Sequence, residues 1–185
     1  MPGVDMADGM RKENVPLFGL ESRHSLLEFD IVGFTLQYEM SYTNVLNMLD
    51  LAGLPVLAKD RTELTPVVMA GGACACNPEP LADFVDFFQL GDGEEMMNDV
   101  LDVLAECKRN GESKQEYLKK ISKIQGIYVP SLYNVEYNED GTVKSVTPEG
   151  DAPLTGIIPM KDYDEFRAIV VPQTVAAGQT LLTIT

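Results

Sequence analysis

Polar and apolar positions along this chain fall into short blocks whose period switches between that of a strand and that of a helix. Val4 to Asn14 is polar and fits a short helix ended by Val15-Pro16, because the residue before a proline is pushed out of the α region. The run from Phe29 to Tyr38 (Phe-Asp-Ile-Val-Gly-Phe-Thr-Leu-Gln-Tyr) is nearly continuous in apolar, β-branched and aromatic residues, the pattern of a strand covered on both faces. Val45, Leu46, Leu49 and Ala52 then share one helical face, with Ser41 placed as N-cap and Gly53 where a left-handed C-cap belongs. Val67 to Ala70 and Phe87 to Leu90 read as two more short buried strands, each leaving through glycine: Gly71-Gly72 after the first, Gly91-Asp92-Gly93-Glu94-Glu95 after the second.

Met97, Val100, Leu101, Leu104 and Cys107 recur at helical spacing, with acids before them and Lys108-Arg109 after, both complementing the helix dipole. Ser113 and Glu116 make a capping box for a following helix that carries Leu118, Ile121 and Ile124. Strand, helix, strand, link, strand, helix is the order of a doubly wound α/β domain with a parallel, flavodoxin- or Rossmann-like sheet. Beyond Gly126 the pattern changes to a β-hairpin, Leu132 to Tyr137 and Thr142 to Val146, turning through Asn138-Glu139-Asp140-Gly141. These boundaries divide the chain into an α/β domain over 1–126, a hairpin extension over 127–150, and a Pro- and Gly-rich tail over 151–185 with one apolar run at Phe166 to Val171.

Composition narrows the function classes. The 185 residues suffice for one such domain and an appendage, and 45% apolar with 23% charged residues is ordinary for a globular protein. A net charge of -15 argues against direct binding to nucleic acid or an anionic membrane. There is no apolar run of transmembrane length and no signal-peptide pattern at the amino terminus, so a cytoplasmic chain is expected. Three cysteines, Cys74, Cys76 and Cys107, lack a disulfide-framework spacing and read as free thiols.

Ligands of open parallel sheets bind at the carboxyl ends of the strands, where loops form a crevice and helix N-termini point into it. The candidate binding residues are therefore at three exits: Tyr38, Ser41, Tyr42 and Asn44 at the first; Gly71, Gly72, Pro78 and Glu79 at the second; Gly91, Gly93 and Glu94 at the third. Each has a plainer reading. Glycine turns the chain between elements, Tyr42 staples a helix start, Asn44 is solvated, and Asp92, Glu94 and Glu95 serve the helix dipole rather than acid–base chemistry. A lone Cys-x-Cys lacks the count and spacing of a zinc or iron–sulfur site, Cys107 falls on an apolar helix face, and His24 in a polar stretch reads as a surface residue.

As an ordered set, Gly71-Gly72, Pro78-Glu79 and Asp86 through Gly91-Asp92-Gly93-Glu94-Glu95 resemble the cobalamin-binding domains that precede radical S-adenosylmethionine (SAM) barrels. Those domains carry a Gly-Glu-Gly-Glu segment where this chain has Asp92 for the first glutamate. A closer resemblance is to an uncharacterised radical SAM family, through Pro16-Leu17-Phe18-Gly19-Leu20-Glu21-Ser22, the segment from Phe29 to Phe34, Leu36 to Leu49, Asn77 to Phe84 and Tyr128 to Tyr133. It covers about residues 14 to 150.

The resemblance implies a corrinoid-binding-like domain that is not catalytic in isolation. A 4Fe-4S cluster and SAM would belong to a barrel supplied in cis or by an adjacent chain, since the Cys-x-x-x-Cys-x-x-Cys motif does not occur among these residues. Cobalamin is the cofactor it implies for this chain. No Asp-x-His-x-x-Gly motif is present, so a bound corrinoid is expected to lack a protein histidine ligand. Two readings compete with this one. An interaction or scaffolding domain would keep the fold without a cofactor, and an independent flavodoxin-like protein would need a glycine-bearing phosphate loop that Gln37 to Tyr42 does not offer. The resemblance also implies an earlier strand, a helix and a further strand, so the sheet is expected to be incomplete at its amino-terminal side, with self-association through an exposed edge strand.

Overall fold

The computed structural model describes residues 2–91, 93 and 96–153. Within them the chain forms α1 (Val4–Glu13), β1 (Ile31–Thr35), α2 (Tyr42–Leu51), β2 (Val67–Gly71), β3 (Phe87–Gln89), α3 (Met96–Asn110), α4 (Lys114–Ile121), β4 (Ile127–Tyr128), β5 (Tyr133–Tyr137) and β6 (Val143–Pro148). A four-stranded sheet has the order β1-β2-β3-β4, and β5 and β6 pair separately as an antiparallel hairpin. The expected α/β fold with a hairpin appendage is the fold observed. The tail beyond Pro153, with the apolar run at Phe166 to Val171, lies outside the described residues.

β1, β2 and β3 run parallel, Ile31 opposite Val67 and Met69 opposite Phe87, whereas β4 runs antiparallel to β3. The strand pattern makes both faces apolar, and each face has its own cover. Val32, Phe34, Val68, Ala70 and Phe88 pack with Val45 and Leu49 of α2 and with Ala7 and Met10 of α1. On the opposite face Val67, Met69, Phe87 and Ile127 pack with Val100, Leu104 and Cys107 of α3 and with Tyr117 and Ile121 of α4. Alternation of side chains along each strand assigns neighbouring residues to opposite layers, and each large apolar side chain buried this way contributes about 1.5–3 kcal/mol.

Local signals set the element ends. Asn14 ends α1 in the left-handed region (φ 53°), and Gly53 closes the turn after α2 at φ 73°. Ser113 accepts from the Glu116 amide while the Glu116 carboxylate accepts from the Ser113 amide at 2.7 Å, the predicted capping box. Two expectations need correction. The first strand ends at Thr35, before Tyr38, and the chain passes through a 3-10 turn at Glu39–Ser41 into α2. Ser41 does not cap α2 with its side chain; its hydroxyl donates to the Tyr38 carbonyl at 2.7 Å. The main sheet is mostly parallel, as expected, with β4 added antiparallel after the turn at Gly126. Two residues are too few to show a period, so the sequence pattern had no means of revealing that strand.

Candidate functional site

The first two strand exits are laced together by backbone. The Leu36 amide donates to the Gly71 carbonyl at 2.7 Å, and the Cys74 amide donates to the Leu36 carbonyl at 2.8 Å. The Tyr42 hydroxyl reaches across from α2 to the Cys74 carbonyl at 3.4 Å. Gly72 has φ 96°, and a Cβ there would lie 3.0 Å from the Leu36 carbonyl oxygen. Its lack of a side chain is thus used by the chain's own close approach. Tyr38 is exposed, Asn44 is half-buried on α2, and Pro78 opens a 3-10 turn at Glu79–Leu81.

At the third exit Gly91 is buried at φ 97°, the Leu90 amide donates to the Gly126 carbonyl at 2.8 Å, and the Met97 amide donates to the Gly93 carbonyl at 2.8 Å. Gly71 stands beside Gln89, whose buried Oε1 has no hydrogen-bond partner. Asp92, Glu94 and Glu95 lie outside the described residues. The structure therefore brings Tyr42, Gly71 and Gly72 together and sets Gly91 and Gly93 at the neighbouring strand end. Glu79 turns elsewhere: its Oε1 accepts the Tyr128 hydroxyl at 2.7 Å.

The thiols of the second exit are held in their neutral form. Burial, then the nearby Glu39 carboxylate, raises the Cys74 thiol above its ordinary range, and burial followed by Cys74 raises Cys76. Reactive cysteines need the opposite, an electropositive setting that yields thiolate. Among the described residues no three histidine, cysteine or acidic side chains converge on a point that could hold a metal ion. His24 is exposed before β1, with Nδ1 3.6 Å from Glu28 Oε2, and so reaches none of the exits.

A second concavity, not expected from the sequence, opens near the start of β3. It is a cavity of about 850 Å³ between the link that precedes β3, the N-terminus of α4 and the hairpin. On its floor Arg61, Asp86 and Lys114 form a buried ionic cluster: Arg61 Nη2 lies 3.3 Å from Asp86 Oδ1 and Lys114 Nζ lies 3.0 Å from Asp86 Oδ2. Tyr128, Tyr133 and Tyr137 supply aromatic surface, and Glu79 contributes to the lining. Asp86 between apolar Val85 and Phe87 was the one signal of this cluster in the sequence; nothing marked Arg61 or Lys114 as its partners.

Comparison with known proteins gives a family match. A family model described as "Radical SAM proteins, N-terminal" matches residues 1–130. No curated protein and no solved structure matches the chain.

Proposed function

The chain belongs to the family of N-terminal domains of radical SAM proteins, and on that premise we propose that it is a non-catalytic accessory domain. It serves a radical enzyme whose 4Fe-4S cluster and SAM, implied by the family, are held by a barrel in the same protein or on an adjacent chain. The observation that supports this reading is the division of the cysteines between layers. Cys74 packs against the α1/α2 core and Cys107 is buried within the α3/α4 core, so the sheet stands between them. These three thiols do not combine into the tripod that a cluster with an open iron requires. Anaerobic reconstitution of the chain with iron and sulfide, followed by iron analysis and electron paramagnetic resonance, is expected to leave no stoichiometric cluster after desalting. A cluster that survives, with reductive cleavage of SAM, would overturn the proposal.

The second reading adds a corrinoid at the exits, near Tyr38, Tyr42, Gly71, Gly91 and Gly93. One observation favours it: the unpartnered Oε1 of Gln89 beside Gly71, a buried acceptor that an amide donor would satisfy. The described residues fit such a ligand poorly otherwise. Leu36 backbone already occupies the space Gly72 leaves. The cofactor-free accessory domain is accordingly the leading form. Titration with hydroxocobalamin separates the two: a saturable change in the visible spectrum, abolished by Gly93→Phe in a variant that still folds, would establish the corrinoid form, and no saturable change would leave the cofactor-free one.

A further inference from the structure

The chain has no tryptophan, so its tyrosines are the aromatic rings most easily oxidised. A phenol gives up an electron readily only when its proton can leave as well, because the radical cation formed otherwise is strongly acidic. What each hydroxyl donates to therefore sorts the tyrosines. Tyr117 is buried and its hydroxyl has no partner, Tyr42 donates to the Cys74 carbonyl at 3.4 Å, and Tyr133 donates to the Pro153 carbonyl at 3.0 Å. A neutral carbonyl is no base. Tyr128 differs: its hydroxyl donates at 2.7 Å to Oε1 of Glu79, a short charge-assisted bond to a group that can accept the proton outright.

The surroundings supply the other parts of a proton-coupled electron transfer. Tyr128 is 4% exposed, and burial followed by Glu79 keeps its phenol protonated at physiological pH, so electron and proton must leave together. Glu79 is half-buried and lines the cavity, which keeps a proton placed on it within reach of solvent. The ring of Tyr133 stands 5.1 Å from that of Tyr128, centroid to centroid, and lines the same cavity, so it can carry an electron from the buried ring to the opening. Phe88, 6.3 Å from Tyr128 on the core side, is too hard to oxidise to draw the charge inward. The oxidised state rests where the base is.

We propose that Tyr128 is a redox-active tyrosine, which gives an electron through Tyr133 to a carbon-centred organic radical in the cavity while its proton moves to Glu79. The O–H bond of Tyr128 breaks and Glu79 becomes the carboxylic acid. The radical R•, taking the electron and a proton from water, becomes R–H. Burial then shields the Tyr128 phenoxyl from coupling to a phenoxyl of another chain. The site lies away from the strand exits and does not depend on which form of the proposed function holds.

The test uses the full 185-residue chain, photo-oxidised with tris(bipyridine)ruthenium and persulfate as the one-electron oxidant and freeze-quenched for electron paramagnetic resonance. Expected is a tyrosyl spectrum that outlasts the coupling of exposed phenoxyls to dityrosine, lost in Tyr128→Phe and kept in Tyr137→Phe. Glu79→Gln keeps a hydrogen-bond acceptor and removes the base, and is expected to slow formation of the signal about tenfold or more, within what a positioned proton acceptor contributes. A purely structural bond would not set that rate. Should Tyr128→Phe fail to fold, a ring-fluorinated tyrosine at position 128 keeps the hydroxyl and is expected to split the signal by fluorine hyperfine coupling. The proposal is overturned if no persistent tyrosyl signal forms, if a folded Tyr128→Phe keeps it, if the fluorinated chain shows no splitting, or if Glu79→Gln forms it at the rate of the unaltered chain.

Discussion

The hydroxyl of Tyr128 donates to Oε1 of Glu79 at 2.7 Å, joining the two-residue strand β4 to the link that follows β2, 49 positions earlier in the chain. The contact is partly buried, and burial followed by the Glu79 carboxylate raises the tyrosine's pKa well above the ordinary range, so it remains a donor at all physiological pH. Tyr128→Phe removes that donor and leaves the carboxylate partly desolvated without it. A loss of about 1–3 kcal/mol in urea unfolding is expected, the range for an orphaned partner of a hydrogen bond to a charged group. An unchanged midpoint would mean that solvent replaces the donor freely.

Asp86 lies between two buried cations, Arg61 and Lys114. Asp86→Ala strands Arg61 and Lys114 and frees the Val68 amide, so a loss of about 3–5 kcal/mol is expected. That is a large part of the stability of a small domain. Asp86→Asn, which still offers the Val68 amide an acceptor, should lose less, and chemical denaturation of both variants would show the order.

Three glycines at positive φ predict a graded series. At Gly126 (φ 85°) a Cβ would lie 2.7 Å from the Leu90 carbonyl oxygen, at Gly72 (φ 96°) 3.0 Å from that of Leu36, and at Gly141 (φ 82°) it would meet nothing within 4 Å. Alanine at Gly141 incurs only the left-handed backbone cost of about 1–2 kcal/mol, and the other two add a backbone collision. Thermal unfolding should rank Gly126→Ala as most damaging, then Gly72→Ala, then Gly141→Ala.

The loop after α3 predicts an acid-side pH dependence. Glu112 accepts from Lys120 Nζ at 2.9 Å and from Asn110 at 2.9 Å; the Lys120 bond, then the Asn110 bond, lowers its carboxyl from the usual 4.5 to about 2. A depressed folded-state pKa gives stability that is complete above the unfolded value and is lost as pH falls from 4.5 through about 2. Glu112→Gln should therefore flatten the fall in stability over that window, read by urea midpoints at several acidic pH values. The Cys107 thiol, pushed up to about 11 first by burial and then by its hydrogen bond to Glu112, should resist an aromatic disulfide reagent in the native chain, while Cys74 and Cys76 are slowly modified.

Among the described residues β1 is a terminal strand of the sheet, paired with β2 alone. Its run Ile31-Val32-Gly33-Phe34-Thr35 has no charged residue to discourage pairing with another chain. We propose that the chain self-associates along this edge despite its net charge of -15. Sedimentation over a wide range of concentrations is expected to show association that Gly33→Pro suppresses in a variant that still folds; a monomer throughout would remove the proposal.

Much of the fold was legible because the deciding forces were local. The doubly apolar runs at β1, β2 and β3, the spacing of Val100, Leu104 and Cys107, and the Ser113–Glu116 capping box each carry their signal within a few residues. Those determined an α/β domain with two covered faces, and the family match is consistent with the motifs that pointed to it. What only the tertiary structure decided rests on contacts between distant segments. Whether Gly72 makes room for a ligand or for Leu36 depends on how closely two strand exits approach. Whether Glu79 faces the exits or Tyr128 depends on where an antiparallel β4 of two residues joins the sheet. The same holds for Arg61, Asp86 and Lys114: Arg61 and Lys114 are unremarkable in their own segments, and the charges acquire meaning only when packing removes the water between residues 25 and 53 positions apart.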